Sequence, residues 1–169
     1  MSPDRHVTRY DVMPIPPVPA HTRTVRAGSL SIGIEFRQVD AAIIEGAYGD
    51  IDVRQAGDDT PQPPILDDRG VSLHVCDGAS GVEYLRFDAF GDDPHYHYIR
   101  PGEYQLVVPF DRAACGEMLP WVLTALSTRL QEMLEFAGAG ELAAALAPGQ
   151  IEAALPFVVE AVTAARAPG

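Results

Sequence analysis

Two histidines one residue apart, His95 and His97, stand in the run HYHYI, and Asp88 precedes them in the strand-like run VEYLRFDAF. Residues i and i+2 of a β-strand project from one face with Cα atoms about 6.8 Å apart, so both imidazoles can reach one divalent ion. A carboxylate from the neighbouring strand completes a set of two histidines and one acid with open coordination positions, suited to iron, zinc or manganese. The candidate metal ligands are therefore His95, His97 and Asp88, with Asp92 or Asp93 of the adjacent turn as substitutes for the acid. Arg86 is placed to orient an anionic or phenolic substrate, with Tyr104 as proton donor. The same residues also suit metal-free chemistry, in which Asp88 fixes the tautomer of His97 and His97 acts as general base of an isomerase, dehydratase or cyclase. A plain carboxylate–histidine hydrogen bond on a sheet is the structural alternative.

Three strands are needed to bring these groups together. Residues 82–90 are rich in aromatic and branched side chains, and Gly91-Asp92-Asp93-Pro94 is a cluster of turn formers. A four-residue loop there sets Phe90 opposite His95, Asp88 opposite His97 and Arg86 opposite Ile99. A reversal at Pro101-Gly102, flanked by Arg100 and Glu103 as a cross-strand ion pair, then puts Tyr104, Leu106 and Val108 on the histidine face. Leu85, Phe87, Ala89, Tyr96, Tyr98, Gln105 and Val107 fall on the other face, which reads as the one packed on helices. His74, predicted opposite Tyr84, comes out on the order of 15 Å from His97 and reads as a hydrogen-bonded sheet histidine rather than a ligand.

The rest of the chain supplies the scaffold. Residues 1–22 hold the run MPIPPVPA, which excludes helix and interior strand and makes an extended arm, disordered or draped on the surface, or laid as a polyproline II segment on a partner subunit of a homo-oligomer. Residues 23–169 read as one α+β domain, mainly β over 23–109 and mainly helical over 110–169. Residues 24–37 alternate as a half-buried strand with Glu35 on its solvated side. Residues 41–53 read as a strand with a glycine kink or as a short helix followed by a strand, the strand being preferred, residues 57–70 as an acidic, proline-rich loop, and residues 71–77 as a further strand. Asp111 is placed to cap a helix, apolar residues recur at helical spacing from Leu119 to Ala137 until Gly138, and Pro156 bends or breaks a last helical stripe. Met118, Trp121 and Met133 read as core fillers. The fold class is α+β: an antiparallel β-sheet, open or curled towards a barrel, with C-terminal helices packed on it.

Charge narrows the partners. A net charge of -12, with 12 scattered basic residues, excludes a nucleic-acid backbone or an anionic membrane surface as partner. No apolar run is long enough to span a bilayer and no signal peptide is visible, so the expected location is cytoplasmic. Cys76 and Cys115 make no disulfide framework, and Cys115, near a helix start, is a minor nucleophile candidate.

Gly91, His95, His97 and Glu103 resemble the first motif of the cupins, small β-barrel proteins whose strand-borne His-x-His and following Glu bind metal. The spacings of Gly91 and Glu103 depart from that motif, and a helical C-terminal half leaves no second motif. The likeness illustrates a strand-borne metal site and implies no membership. In order of elements the chain is also similar to small-molecule carriers and polyketide cyclases, in which a sheet curls around a helix. The leading expectation is a small-molecule enzyme with a metal on the His-x-His pair. The alternatives are metal-free acid–base catalysis and a non-catalytic ligand-binding or partner protein with an apolar pocket.

Overall fold

The computed structural model describes residues 6–48 and 67–166. Among them seven strands form one antiparallel sheet in the order β1-β7-β6-β5-β4-β3-β2. These are β1 (Thr8–Tyr10), β2 (Arg23–Ala27), β3 (Leu30–Val39), β4 (Asp68–Asp77), β5 (Glu83–Phe90), β6 (His95–Arg100) and β7 (Tyr104–Pro109). Six helices accompany it: α1 (Ala41–Tyr48), α2 (Arg112–Cys115), α3 (Met118–Thr128), α4 (Leu130–Phe136), α5 (Gly140–Ala144) and α6 (Gln150–Arg166). The architecture is the expected α+β one. The sheet is not closed, since β1 and β2 are its edges, so no closed barrel is formed.

Period-two alternation sends Ile32 and Ile34 of β3, Leu73 and Val75 of β4, and Leu85 and Phe87 of β5 to one face, where α3, α4 and α6 cover them. Val122, Leu126, Leu134 and Val158 meet them from the helices, and all ten side chains are buried. Trp121 packs on this layer, 6.3 Å from Phe87, 5.4 Å from Tyr96 and 5.1 Å from Phe110 between ring centroids. Burying a ring such as Phe87 stabilises the fold by roughly 1.5–3 kcal/mol. The helix signals read from the chain are in place. Asp111 accepts from Ala113 and Ala114 N–H at 3.0 and 3.1 Å, and Gly138 ends α4 with φ 83°. Pro156 lies inside an unbroken α6, and the stripe from Leu119 to Ala137 is split into α3 and α4 at Arg129.

Several expectations about the strands need correction. The strand read over residues 24–37 is a hairpin, β2 and β3, turned at Gly28-Ser29 with Gly28 at φ 61°, the position that favours glycine in a two-residue loop. Residues 41–48 form a helix, not a strand, with the Asp40 side chain accepting from Ile43 N–H at its start. The remainder of that stretch, and residues 57–66 of the loop read over 57–70, lie outside the described residues. The strand expected from residue 71 already begins at Asp68.

The register also differs. Asp88 stands opposite His95 and Arg86 opposite His97, a shift of two residues from the predicted pairing. The turn is not drawn tight across β5 and β6 because Asp92 and Asp93 N–H bond to the Asp68 carboxylate on β4, at 3.0 and 2.7 Å, and Pro94 has no N–H to give to a ladder. His74 likewise pairs with Arg86, not Tyr84, so it lies two strands from His97 in the same row, about 10 Å away. Between β6 and β7 the loop has three residues, Pro101 to Glu103, with Gly102 at φ 76°. An odd loop reverses the faces. Tyr104, Leu106 and Val108 therefore lie on the helix side, and Gln105 and Val107 lie beside the histidines. Tyr104 packs under Arg9 of β1, whose guanidinium carbon is 4.0 Å from the ring centroid. Arg100 donates to the Phe136 carbonyl at 3.3 Å rather than pairing with Glu103.

The second face of the sheet is polar, and it is covered too. Residues 11–21 run across it from β1 towards β2 as a strap, with a single 3-10 turn at Pro19–His21. Beneath the strap lie Glu35, Ser72, His74, Arg86, Asp88, His97 and Gln105, all buried. Glu35 is thus not the solvated charge its strand position suggested; it is 1% exposed.

Candidate metal centre

Asp88 projects from β5, and His95 and His97 project from the same side of β6, because the direct pairing of Asp88 with His95 places residues i and i+2 of both strands on one face. Asp88 Oδ2 lies 3.2 Å from His95 Nε2 and 2.9 Å from His97 Nε2. The three ligand atoms lie within 4.8 Å of one another. Ligands held at about 2.0–2.1 Å around one tetrahedral ion are separated by roughly 3.3 Å, close to both distances. Asp88 and His97 are buried and His95 is half-buried, so the exposed side of the trio is the one at His95.

The outer hydrogen bonds decide which atoms of the histidines are free to bind. His95 Nδ1 is 2.7 Å from the carbonyl oxygen of Asp93, which can only accept, so Nδ1 carries the proton. His97 Nδ1 is 2.8 Å from Gln105 Oε1. The Gln105 amide is oriented by its other end, Nε2, which donates to the Val12 carbonyl at 2.9 Å. His97 Nδ1 is therefore also a donor. In the neutral rings both Nε2 lone pairs point at the carboxylate of Asp88. Ser72 donates to the second carboxylate oxygen, Oδ1, and fixes the plane of the acid. This is the outer arrangement metal-binding histidines adopt, with the distal N–H on a carbonyl or amide oxygen and the ligating nitrogen facing the ion.

Electrostatics act on the two partners in different ways. Burial pulls the pKa of His97 below its usual value, more than the bond and charge of Asp88 push it up, so the ring is held neutral. Burial alone would raise the pKa of Asp88, but the Nε2–H bonds and positive charge that His95 and His97 offer when protonated outweigh it and hold the acid well below the usual carboxylate range. An ionised carboxylate and two lone pairs at hydrogen-bond distance repel one another unless a cation lies among them. Protons or a metal ion meet that need.

A second polar cluster adjoins the first. His74 sits between two carboxylates, with Nε2 2.9 Å from Glu35 Oε1 and Nδ1 on Glu83 Oε2. Carboxylates only accept, so both ring nitrogens donate and the ring is cationic. Its pKa is raised: burial lowers it, and the bonds to Glu35 and Glu83 more than compensate. Arg86 bonds Glu83 through Nε at 3.0 Å and NH2 at 2.7 Å, and Arg37 reaches Glu35 at 3.2 Å. The two carboxylates sit on opposite nitrogens of His74 and do not converge, so this cluster has no common point for an ion.

Of the residues singled out in the sequence, Asp88, His95 and His97 are thus brought together, and Arg86 lies beside them as the cross-strand partner of His97. Tyr104 is on the other side of the sheet. Asp92 and Asp93 serve through their backbone, not as ligands. Gln105, Ser72, Glu83, Glu35 and Arg37 were not anticipated. Gln105 carried a readable signal, as the one polar residue in YQLVV, but was assigned to the wrong face. A groove of about 400 Å³ walled by Tyr96, Tyr98, Trp121 and Phe136 lies on the helix side and does not join the histidines. Cys76 is a poor nucleophile, since burial pushes its thiol up to about 12, and no helix among the described residues is long and apolar enough to cross a membrane.

No curated protein and no solved structure matches the chain. A family described as a domain of unknown function (DUF7700) matches residues 24–162, which include every residue of both polar clusters and leave the strap outside, and the chain belongs to this family.

Proposed function

We propose that this protein is a metal-dependent small-molecule enzyme whose mononuclear centre is Asp88, His95 and His97. The observation that carries the reading is the convergence of two lone-pair nitrogens and one carboxylate oxygen whose outer bonds are already satisfied by Asp93, Gln105 and Ser72. Two imidazoles and a carboxylate without thiolate suit iron(II), zinc or manganese. Three protein ligands would leave coordination positions free, and such an ion would supply Lewis-acid chemistry there. The protein would hold the ion with Asp88 and His97 buried and His95 half-buried, and its outer hydrogen bonds fix both tautomers.

Metal-free acid–base catalysis is the weaker reading on specific grounds. A general base must turn a ring nitrogen to the substrate. Both nitrogens of His97 and both of His95 are directed to groups of the protein itself.

Elemental analysis of the untagged protein, purified beside a His95→Ala/His97→Ala variant, tests the proposal. Near-stoichiometric iron, zinc or manganese is expected in the parent and none in the variant. Because His97 is buried, a His95→Ala variant checked for native circular dichroism guards against mere unfolding. A parent that takes up no metal after incubation with all three ions overturns the reading.

A further inference from the structure

The strap is held unlike the rest of the fold. None of residues 6–22 is fully buried, and only Val12, Met13, Pro14, Ile15 and Pro17 of its apolar residues from Val12 to Pro19 are half-buried, so the segment is anchored less deeply than the helix side of the sheet. Its attachments over the polar face are backbone groups: the Val12 carbonyl on Gln105, the Ile15 carbonyl on two arginines, and Val18 N–H on Glu35. Segments held by a few hydrogen bonds open at low free-energy cost. What lies beneath is ionised and hydrogen-bonded, and loses little on meeting water, unlike an apolar core.

The Ile15 carbonyl occupies a peculiar position. Its oxygen accepts from Arg86 NH1 at 2.7 Å and from Arg37 NH1 at 3.2 Å, so two buried guanidinium groups meet at one neutral atom. Each arginine already holds one carboxylate, Glu83 or Glu35. Across the face Arg37, Arg86 and the cationic His74 meet Glu35, Glu83, Asp88 and Asp68, so a divalent ion on Asp88 leaves one positive charge unbalanced. A carboxylate matches a guanidinium fork in geometry and forms stronger, charge-assisted hydrogen bonds than a neutral carbonyl.

We propose that the Arg37–Arg86 pair is a binding subsite for a small carboxylate, that the Ile15 carbonyl oxygen fills it while the strap is closed, and that the ligand displaces the strap. The planar sp² oxygen of Ile15 stands in for one oxygen of the ligand's carboxylate. Because Arg86 is the cross-strand neighbour of His97, a ligand held there lies beside the centre formed by Asp88, His95 and His97. As a substrate class this rests on the metal reading above; as a binding site it rests on the arginines and the strap alone.

The test is a solution NMR titration of the full, chelator-treated chain with malonate at constant ionic strength, with malonamide as the neutral control. The metal-free protein keeps failure here separate from failure of the metal reading. Malonate is expected to give saturable shifts and to release the Val18 amide from protection against exchange, and malonamide to do neither. Arg37→Gln is expected to weaken malonate binding at least tenfold. Tyr48→Phe, which removes the bond from the Tyr48 hydroxyl to the Met13 carbonyl without touching the arginines, is expected to tighten it several-fold by loosening the strap. Absence of saturable shifts, an equal response to malonamide, or unchanged affinity in both variants overturns the proposal.

Discussion

Gln105 Oε1 lies 2.8 Å from His97 Nδ1, while the same amide donates through Nε2 to the Val12 carbonyl, so one side chain fixes both the tautomer of a buried histidine and the position of the strap. Gln105→Leu keeps the volume and removes both bonds. Outer partners of metal-bound histidines typically contribute 10–100-fold in affinity, and a loss of that order is expected here by competition titration with a chromophoric chelator. Gln105→Glu retains an acceptor for His97 but places a carboxylate against the Val12 carbonyl. It should keep more of the metal affinity than Gln105→Leu while loosening the strap, seen as faster exchange at Val18. Equal metal affinity in all three proteins would show that the tautomer is set elsewhere.

Asp68 acts on the other histidine at one remove. Its carboxylate takes the N–H groups of Asp92 and Asp93 at 3.0 and 2.7 Å, which aims the Asp93 carbonyl at His95 Nδ1. Asp68→Ala is expected to lower metal affinity about tenfold, as loss of an outer partner does. A general loss of stability would not discriminate, so the informative readout is the ratio of metal affinities at equal folded fraction. A variant as tight as the parent would leave Asp68 only a turn-stabilising role.

How much of this was legible depended on the parity of two loops. The Gly91–Pro94 turn was misjudged by two residues, and because side chains alternate with period two, Asp88, His95 and His97 still fell on one face. The Pro101–Glu103 loop was misjudged by an odd number, which sent Tyr104 to the site and Gln105 away from it, the reverse of what the structure has. Nothing local fixed either length. The first is set by Asp68, twenty-odd residues upstream in β4. Glu35 was misread for a related reason: a strand that alternates apolar and polar looks half-solvated, and only a strap from a distant part of the chain, held by backbone atoms, makes the polar side an interior. The helices needed no such long-range knowledge. Asp111 and Gly138 announce their ends locally.

The His74 cluster predicts a stability profile with two limits. Burial would raise the pKa of Glu83, but its bonds to His74 and Arg86 outweigh that and lower it from 4.5 to about 2. A carboxylate whose pKa is depressed on folding contributes stability that is present above 4.5 and lost as pH falls towards about 2. His74 has the opposite sign. Its raised pKa gives a contribution complete below 6.5 that is lost as pH rises through the folded value. Urea unfolding across pH should therefore show stability falling on the acid side by on the order of 3 kcal/mol at most from Glu83. Glu83→Gln should be less stable than the parent at neutral pH and should lose less between pH 4.5 and about 2. Parallel profiles for the two proteins would refute the assignment.

Gly70 supplies a test of the sheet that carries Asp88. It pairs with Phe90 across β4 and β5, and a Cβ there would stand 2.3 Å from the Ala89 carbonyl oxygen and 2.9 Å from both the Ala89 carbonyl carbon and Phe90 Cα. All three are backbone atoms, so no side chain can swing aside and β5 itself must move. Overpacking of this kind costs about 1–3 kcal/mol. Gly70→Ala should lower the urea midpoint accordingly and also weaken metal binding, because Ala89 adjoins Asp88. Gly46 in α1 is the control: among the described residues a Cβ there meets no atom within 4 Å, and Gly46→Ala should leave metal binding unchanged while stabilising by up to about 1 kcal/mol through helix propensity. If Gly70→Ala loses stability with full metal affinity, the β4–β5 spacing is not what places Asp88 against the two histidines.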